Sequence, residues 1–133
     1  MTERKEQDMS TTPAEVIERF ADCLNARDLD GALALYEPDA AFQAQPGEPP
    51  VQGTDAIRAA LTGFLALEPA MSGEIVKVVE AGDVALVMNR WSLRGTQPDG
   101  APLELGGTSA DVVRRQGDGS WRVVVDDPWG GGA

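Results

Sequence analysis

Residues 75–126 read IVKVVEAGDVALVMNRWSLRGTQPDGAPLELGGTSADVVRRQGDGSWRVVVD, and this stretch decides the fold. Branched and aromatic residues gather in 75–80, 84–94, 103–115 and 120–126, with turn signals between them at Gly82-Asp83, Asp99-Gly100 and Asp118-Gly119. Branched side chains suit a pleated, half-buried surface, and glycine supplies the positive φ that tight hairpins need. The reading is a four-stranded antiparallel meander. Gly106-Gly107 falls inside the third strand, where paired glycines weaken a flat ladder and suit a bulge or a sharp bend. The sheet is therefore expected to curl and to present a concave face.

Working outward toward the N-terminus, the apolar period lengthens from that of a strand to that of a helix. Thr12, Pro13 and Glu15 form a capping-box signature with proline at the first helical position, followed by Val16, Ile17, Phe20, Ala21 and Leu24 at helical spacing. Asp28 is placed to cap a second, shorter helix with Leu29, Ala32, Leu33 and Tyr36 on its apolar side, ending at Pro38. Residues 40–44 read as a short strand. Residues 45–50 (QPGEPP) read as a surface loop, because proline lacks the N–H that regular structure needs. Thr54 is expected to cap a third helix, with Ile57, Ala60, Leu61, Phe64 and Leu65 on its buried face and Pro69 as its stop.

Helices grouped before strands imply an α+β fold, a curved antiparallel sheet forming a cone closed by N-terminal helices. The polar stretch 1–12 (MTERKEQDMSTT) is expected to be a disordered leader, and 13–133 a single domain. A chain of 133 residues with 42% hydrophobic content holds one continuous core, while two domains would each be too small.

Charge and missing residue types exclude whole classes of function. The 11 Lys and Arg stand against 22 Asp and Glu, a net charge of -11 with no basic stripe, which repels phosphate backbones and anionic lipid. No nucleic acid and no membrane is expected as a partner. The longest stretch free of charged side chains, 59–67, is far short of the roughly 20 apolar residues that span a bilayer. No apolar centre of a secretory signal is visible, so the cytoplasm is the expected compartment. Cys23 is the single cysteine and histidine is absent, which leaves no intrachain disulfide, no thiolate pair for zinc and no histidine-based catalysis. No metal and no cofactor is expected. Proton transfer near neutral pH then falls to carboxylates or water.

The order helix, helix, short strand, helix, four long strands resembles the ketosteroid isomerase-like, or nuclear-transport-factor-like, superfamily and its polyketide-cyclase-like (SnoaL-like) branch. Residues 26–41 (ARDLDGALALYEPDAA) resemble that group's helix-to-strand junction, 51–57 (VQGTDAI) its lead-in to the third helix and 117–121 (GDGSW) its last hairpin. Residues 125–130 (VDDPWG) are similar to the ending of a branch of small bacterial proteins. The resemblance implies a cone around a pocket for a small apolar organic ligand, and a homodimer. Carried across residue by residue, it is incomplete. The isomerase's catalytic aspartate follows the first strand, where this sequence reads Phe42, Gln43, Ala44, Gln45, and the position of its oxyanion-hole tyrosine falls on Phe20. Asp111 alone matches, as the protonated aspartate of the oxyanion hole. Steroid isomerisation by that mechanism does not carry over.

Strand alternation puts Val87, Asn89 and Trp91 on one face, Ser109, Asp111 and Val113 on another, and Val124 with Asp126 on a third. By the resemblance these faces point into the cone, with Phe20, Tyr36, Phe42 and Phe64 as further walls. Desolvation destabilises an ionised carboxyl in such a cavity, and a second carboxylate nearby raises one of the two pKa values further. Asp111 is then the expected general acid or base, Asp126 the second candidate, and Asn89 and Trp91 the residues that orient a carbonyl or enol ligand.

Blander readings stand beside these. A one-residue slip would put Asp111 in solvent, Asn89 is also a common structural hydrogen-bonding residue, and Trp91 and Trp121 also suit a core or a dimer interface. Asp126-Asp127-Pro128 also reads as a plain strand end, Trp129 as a cover of the pocket mouth or of nothing, Tyr36 as core, and Cys23 as a small buried hydrophobe. Three functions follow: a cofactor-free catalyst of isomerisation, cyclisation or epoxide opening; a binding protein without chemistry; and a dimerisation module using Arg90, Ser92, Arg114 and Arg122 on the convex face.

Overall fold

The computed structural model describes residues 11–131. Its elements run α1 (Pro13–Asn25), α2 (Leu29–Leu33), β1 (Tyr36–Phe42), β2 (Val51–Gln52), α3 (Thr54–Leu65), β3 (Ala70–Ala81), β4 (Val84–Thr96), β5 (Pro102–Arg115) and β6 (Trp121–Asp127). The strands form one curved, unclosed sheet in the order β2-β1-β6-β5-β4-β3. The β1–β6 pair is parallel and every other pair is antiparallel. Helices on one face of this sheet make the α+β cone expected from the sequence.

Local chemistry sets the helix ends. The Thr12 hydroxyl accepts from the Glu15 N–H at 3.3 Å, and the Glu15 carboxylate accepts from the Thr11 N–H at 3.0 Å, so the reciprocal cap reaches one residue further back than the usual box. Of the leader expected over 1–12, residues 1–10 lie outside the described residues. At its other end α1 is tied to the sheet. The Asn25 carboxamide donates to the Met71 carbonyl at 2.8 Å and accepts from the Met71 N–H at 2.7 Å, imitating a strand on the free edge of β3. Arg27, at φ 60°, donates to the Pro69 carbonyl at 2.7 Å.

Four expectations need correction. β3 begins at Ala70 rather than Ile75, because Asn25 and β4 give the backbone from Ala70 onward its partners. The second helix ends at Leu33, and Tyr36 opens β1 instead of lying on that helix, since Pro38 disfavours helix before it and the Leu35 carbonyl accepts from the Val123 N–H at 2.7 Å. Thr54 is the first helical residue of α3; the cap position belongs to Gly53 at φ 92°, a conformation that threonine would resist. The ladder runs through Gly106 and Gly107 without a shift of register, and the extra residues fall at Val76 of β3 and Val124 of β6.

The core lies between the helices and the concave face. Val16 of α1 and Ile57 and Leu61 of α3 pack over Val87, Val113 and Val123, all buried to 2% exposure or less. On the convex face polar rungs flank an apolar one. On one side Arg90 pairs with Glu74 at 3.0 Å and Ser92 bonds Ser72 at 2.9 Å; on the other Arg114 pairs with Glu37 at 2.9 Å beside the half-buried Arg122. Between them Val79, Leu86, Val112 and Val125 oppose one another in a single rung across β3, β4, β5 and β6. Among the described residues no helix is long and apolar enough to cross a membrane.

Candidate functional site

Sheet register brings the site together. Val87 of β4 faces Asp111 of β5, Asp111 faces Asp126 of β6, and Asp126 faces Phe42 of β1, so one inward rung carries two carboxyls between two apolar side chains. The next rung pairs Asn89 with Ser109, and the one beyond pairs Trp91 with Gly107. Asp111 is 3% exposed and Asp126 9%. Ser109 donates to Asp111 Oδ2 at 2.9 Å and the Asp127 N–H to Asp111 Oδ1 at 3.2 Å. The Tyr36 hydroxyl donates to Asp126 Oδ2 at 2.6 Å.

Electrostatics follow from this geometry. Burial pushes the Asp111 carboxyl well above the ordinary aspartate range, and the neighbouring Asp126 charge and their shared hydrogen bond push it further. Burial also raises Asp126, but hydrogen bonds from Asp111 and Tyr36 favour its ionised form. Burial first, and the Asp126 charge second, drive the Tyr36 hydroxyl well above its usual value, so it stays a donor. Burial and mutual repulsion thus both favour keeping a proton on the pair, and more strongly on Asp111 than on Asp126. Such a pair is able both to give and to take a proton.

A cavity of about 60 Å³ lies over this rung, walled by Phe20 and Leu61 from the helices, by Phe42, and by Asn89 and Trp91 from the sheet. Phe64 joins the same wall, 6.2 Å from Phe42 between ring centres. The segment after β6 folds back over the cavity: the Pro128 carbonyl accepts from Trp91 Nε1 at 2.7 Å, and the Gly131 N–H donates to the Thr108 carbonyl at 2.8 Å. Trp129 meets Trp91 edge to face at 5.2 Å and closes that side. On the opposite side the cavity adjoins a groove of about 510 Å³ between α1 and β3, and Met71, Gly73 and Asn89 line both.

Asp111, Asp126, Asn89, Trp91, Phe20, Phe42 and Phe64 thus stand on the cavity, as their strands and helices predict. Three expected residues do not. Val87, at the β4 end of the carboxyl rung, is fully buried in the core and does not line the cavity. Tyr36 lies behind the wall, its hydroxyl on Asp126 and its ring packed against Phe20 and Phe42. Val124 is the extra residue of the β6 bulge, which turns it off the inward row and gives that place to Val123. Trp91 contributes its ring and not its N–H, which the Pro128 carbonyl already occupies.

The sequence reading missed Met71 and Gly73, although their spacing from Ile75 continues the inward row of β3. Gly73 has a steric reason: a Cβ there would lie 2.8 Å from the Asn89 side-chain oxygen. Among the described residues no cluster of three or more His, Cys, Asp or Glu side chains suits a metal ion.

No curated protein matches the sequence. Solved structures match over most of their length. A ketosteroid isomerase-like protein from Erwinia carotovora atroseptica is 21% identical with a TM-score of 0.74, over 84% of this chain and 87% of that one. A scytalone dehydratase-like protein from Novosphingobium aromaticivorans is 16% identical at 0.74, over 85% and 77%. A protein from Thiobacillus denitrificans described as a calcium/calmodulin-dependent protein kinase type II association domain is 22% identical at 0.72, over 90% and 94%. At such identities the likeness is one of fold. The family match is wider in meaning: residues 17–124, from the pocket side of α1 through the strand of Asp111 into β6, match the SnoaL-like domain, and the chain belongs to that family.

Proposed function

We propose that this chain takes a small, apolar carbonyl or enol compound into the cone and moves a proton on it without a cofactor, as an isomerase, cyclase or dehydratase does. The observation that carries the reading is the pair of buried carboxyls, Asp111 opposite Asp126 on one inward rung and both on the cavity wall. Asp111 gives its proton to the ligand's oxygen and, then ionised, takes one from the acidified α-C–H, so the carbonyl becomes its enol and Asp111 regains its proton, while Asp126 keeps its charge throughout. Tyr36 from behind and Ser109 from the cavity wall fix the two carboxyls, and the Asn89 carboxamide orients the ligand at the junction with the groove. Two similar structures bear names of this class of chemistry, ketosteroid isomerase-like and scytalone dehydratase-like, which supports the reading.

Proton exchange tests it. 2-Tetralone in D₂O, followed by NMR, is expected to exchange its α-protons faster with the protein than in buffer. Asp111→Asn should lower that rate by about 100-fold or more, the usual size of an acid–base contribution. An unchanged rate in Asp111→Asn contradicts the assignment. Binding with no exchange above buffer favours a ligand-binding protein without chemistry.

A second reading concerns assembly. The Val79–Leu86–Val112–Val125 rung leaves Val79 47% and Val125 38% exposed on the convex face. A second copy of the chain laid on the same rung covers it, and a homodimer results. Sedimentation should give a dimer for the wild type and a monomer for Val125→Glu; a monomeric wild type contradicts this reading.

A further inference from the structure

Two tryptophans meet at the cavity, and their N–H groups differ. Trp91 Nε1 donates to the Pro128 carbonyl at 2.7 Å. Trp129 Nε1, on the ring that packs edge to face against Trp91, is shut off from solvent and has no hydrogen-bond partner. A buried donor without an acceptor is costly, and such groups are rare in folded proteins. The backbone around it is not loose, since the Trp129 N–H donates to Asp127 Oδ1 at 3.1 Å and the Gly131 N–H to Thr108. The indole is thus held in the cavity wall with its one polar atom unspent.

The cavity is also too small for its setting. About 60 Å³ is well under the roughly 150 Å³ that accommodates a benzene ring. An aromatic ligand must therefore widen the chamber, and the parts that bound it are the Trp129 side and the groove side. We infer that Trp129 is a ligand-anchoring residue: its Nε1–H donates to a neutral oxygen of the ligand, a carbonyl or ether, that settles beneath residues 128–131. The class of ligand is then an oxygen-bearing aromatic and not a hydrocarbon. An anionic ligand is disfavoured, because Asp111 and Asp126 share the chamber and Glu18 and Asp22 line the groove, with no Lys or Arg on either. This inference rests on the pocket reading above and adds the residue and the ligand group.

Acetophenone and ethylbenzene make a suitable pair of probes, alike in size and differing in the carbonyl. Titrations followed by NMR on the full chain are expected to show acetophenone binding about five- to tenfold tighter, the net worth of one buried hydrogen bond. The Trp129 indole N–H resonance should move further downfield with acetophenone than with ethylbenzene. In Trp129→Phe, which keeps an aromatic wall and loses the donor, the preference should fall to about onefold with ethylbenzene affinity kept. A preference that survives in Trp129→Phe, or equal movement of the wild-type indole resonance with both probes, overturns the inference and leaves the pocket reading standing. Binding of neither probe to the wild type overturns both. The wild-type resonance decides the matter if Trp129→Phe fails to fold.

Discussion

Asp111 and Val113 sit two residues apart on β5 and face the same way, yet they belong to opposite regions of the cone. Around Val113 everything is apolar and closed: Val16, Ile57 and Val87 leave no exposed surface. Around Asp111 the same strands carry a second carboxyl, a serine and an amide beside a cavity, and the segment after β6 adds an unpaired indole N–H. One region stabilises the fold. The other spends that stability on a carboxyl pair whose desolvation no ion pair offsets, which is the pattern expected where a site is built for chemistry. Substitutions should therefore act in opposite senses in the two regions.

Ile57→Ala should give the largest effect, a loss of about 2–5 kcal/mol in urea unfolding, because the lost contacts leave a cavity in a fully buried place. A loss under about 1 kcal/mol would mean the core end is not the closed region described. Tyr36→Phe should cost about 1.5–3 kcal/mol, the worth of a hydrogen bond to a charged group, since its hydroxyl meets Asp126 at 2.6 Å. The same change should make Asp126 harder to ionise.

Asp111→Asn should run the other way. Burial and the Asp126 charge raise the folded value of Asp111, so the native state keeps a proton that the unfolded chain releases near its ordinary value of about 3.9. That contribution is whole below the unfolded value and is lost as pH rises through the folded one. The Tm of Asp111→Asn relative to wild type should accordingly climb with pH; a difference that is constant from acid to alkaline pH would refute the raised value. Arg90→Ala, which removes an exposed ion pair on the convex face, should change stability by less than about 1 kcal/mol, and a larger loss would show that face to be energetically coupled to the core.

How far the sequence revealed these two regions depends on what kind of signal each feature leaves. The α1 stripe and the alternation of β4 and β5 are periodic, so Phe20, Asn89, Trp91 and Asp111 could be placed before any coordinates. Features that depend on a single residue's backbone were hidden. The run Val123-Val124-Val125 gives no hint of which valine is the extra one, and the β6 bulge moved the inward place from Val124 to Val123. Tyr36 has helical spacing from Leu29 and Leu33, but parallel pairing with β6, a contact remote in sequence, claims it for β1. The start of β3 was lost for the same reason, because Asn25 supplies its edge partners from another element. Residues 128–131 carry no periodicity at all, and the fold-back that brings Trp129 to the cavity rests on two carbonyls, those of Pro128 and Thr108.

The central claim is that Asp111 and Asp126, buried side by side, share one proton. Carboxyl ¹³C NMR of the aspartate-labelled chain, titrated from acid to alkaline pH, tests it most directly. The account predicts that at neutral pH one of the two carboxyls, that of Asp111, is still protonated, and that replacing Asp111 with leucine, which removes a hydrogen bond favouring the ionised form, makes the buried Asp126 harder to ionise. Two ionised carboxylates at neutral pH in the wild type would contradict it.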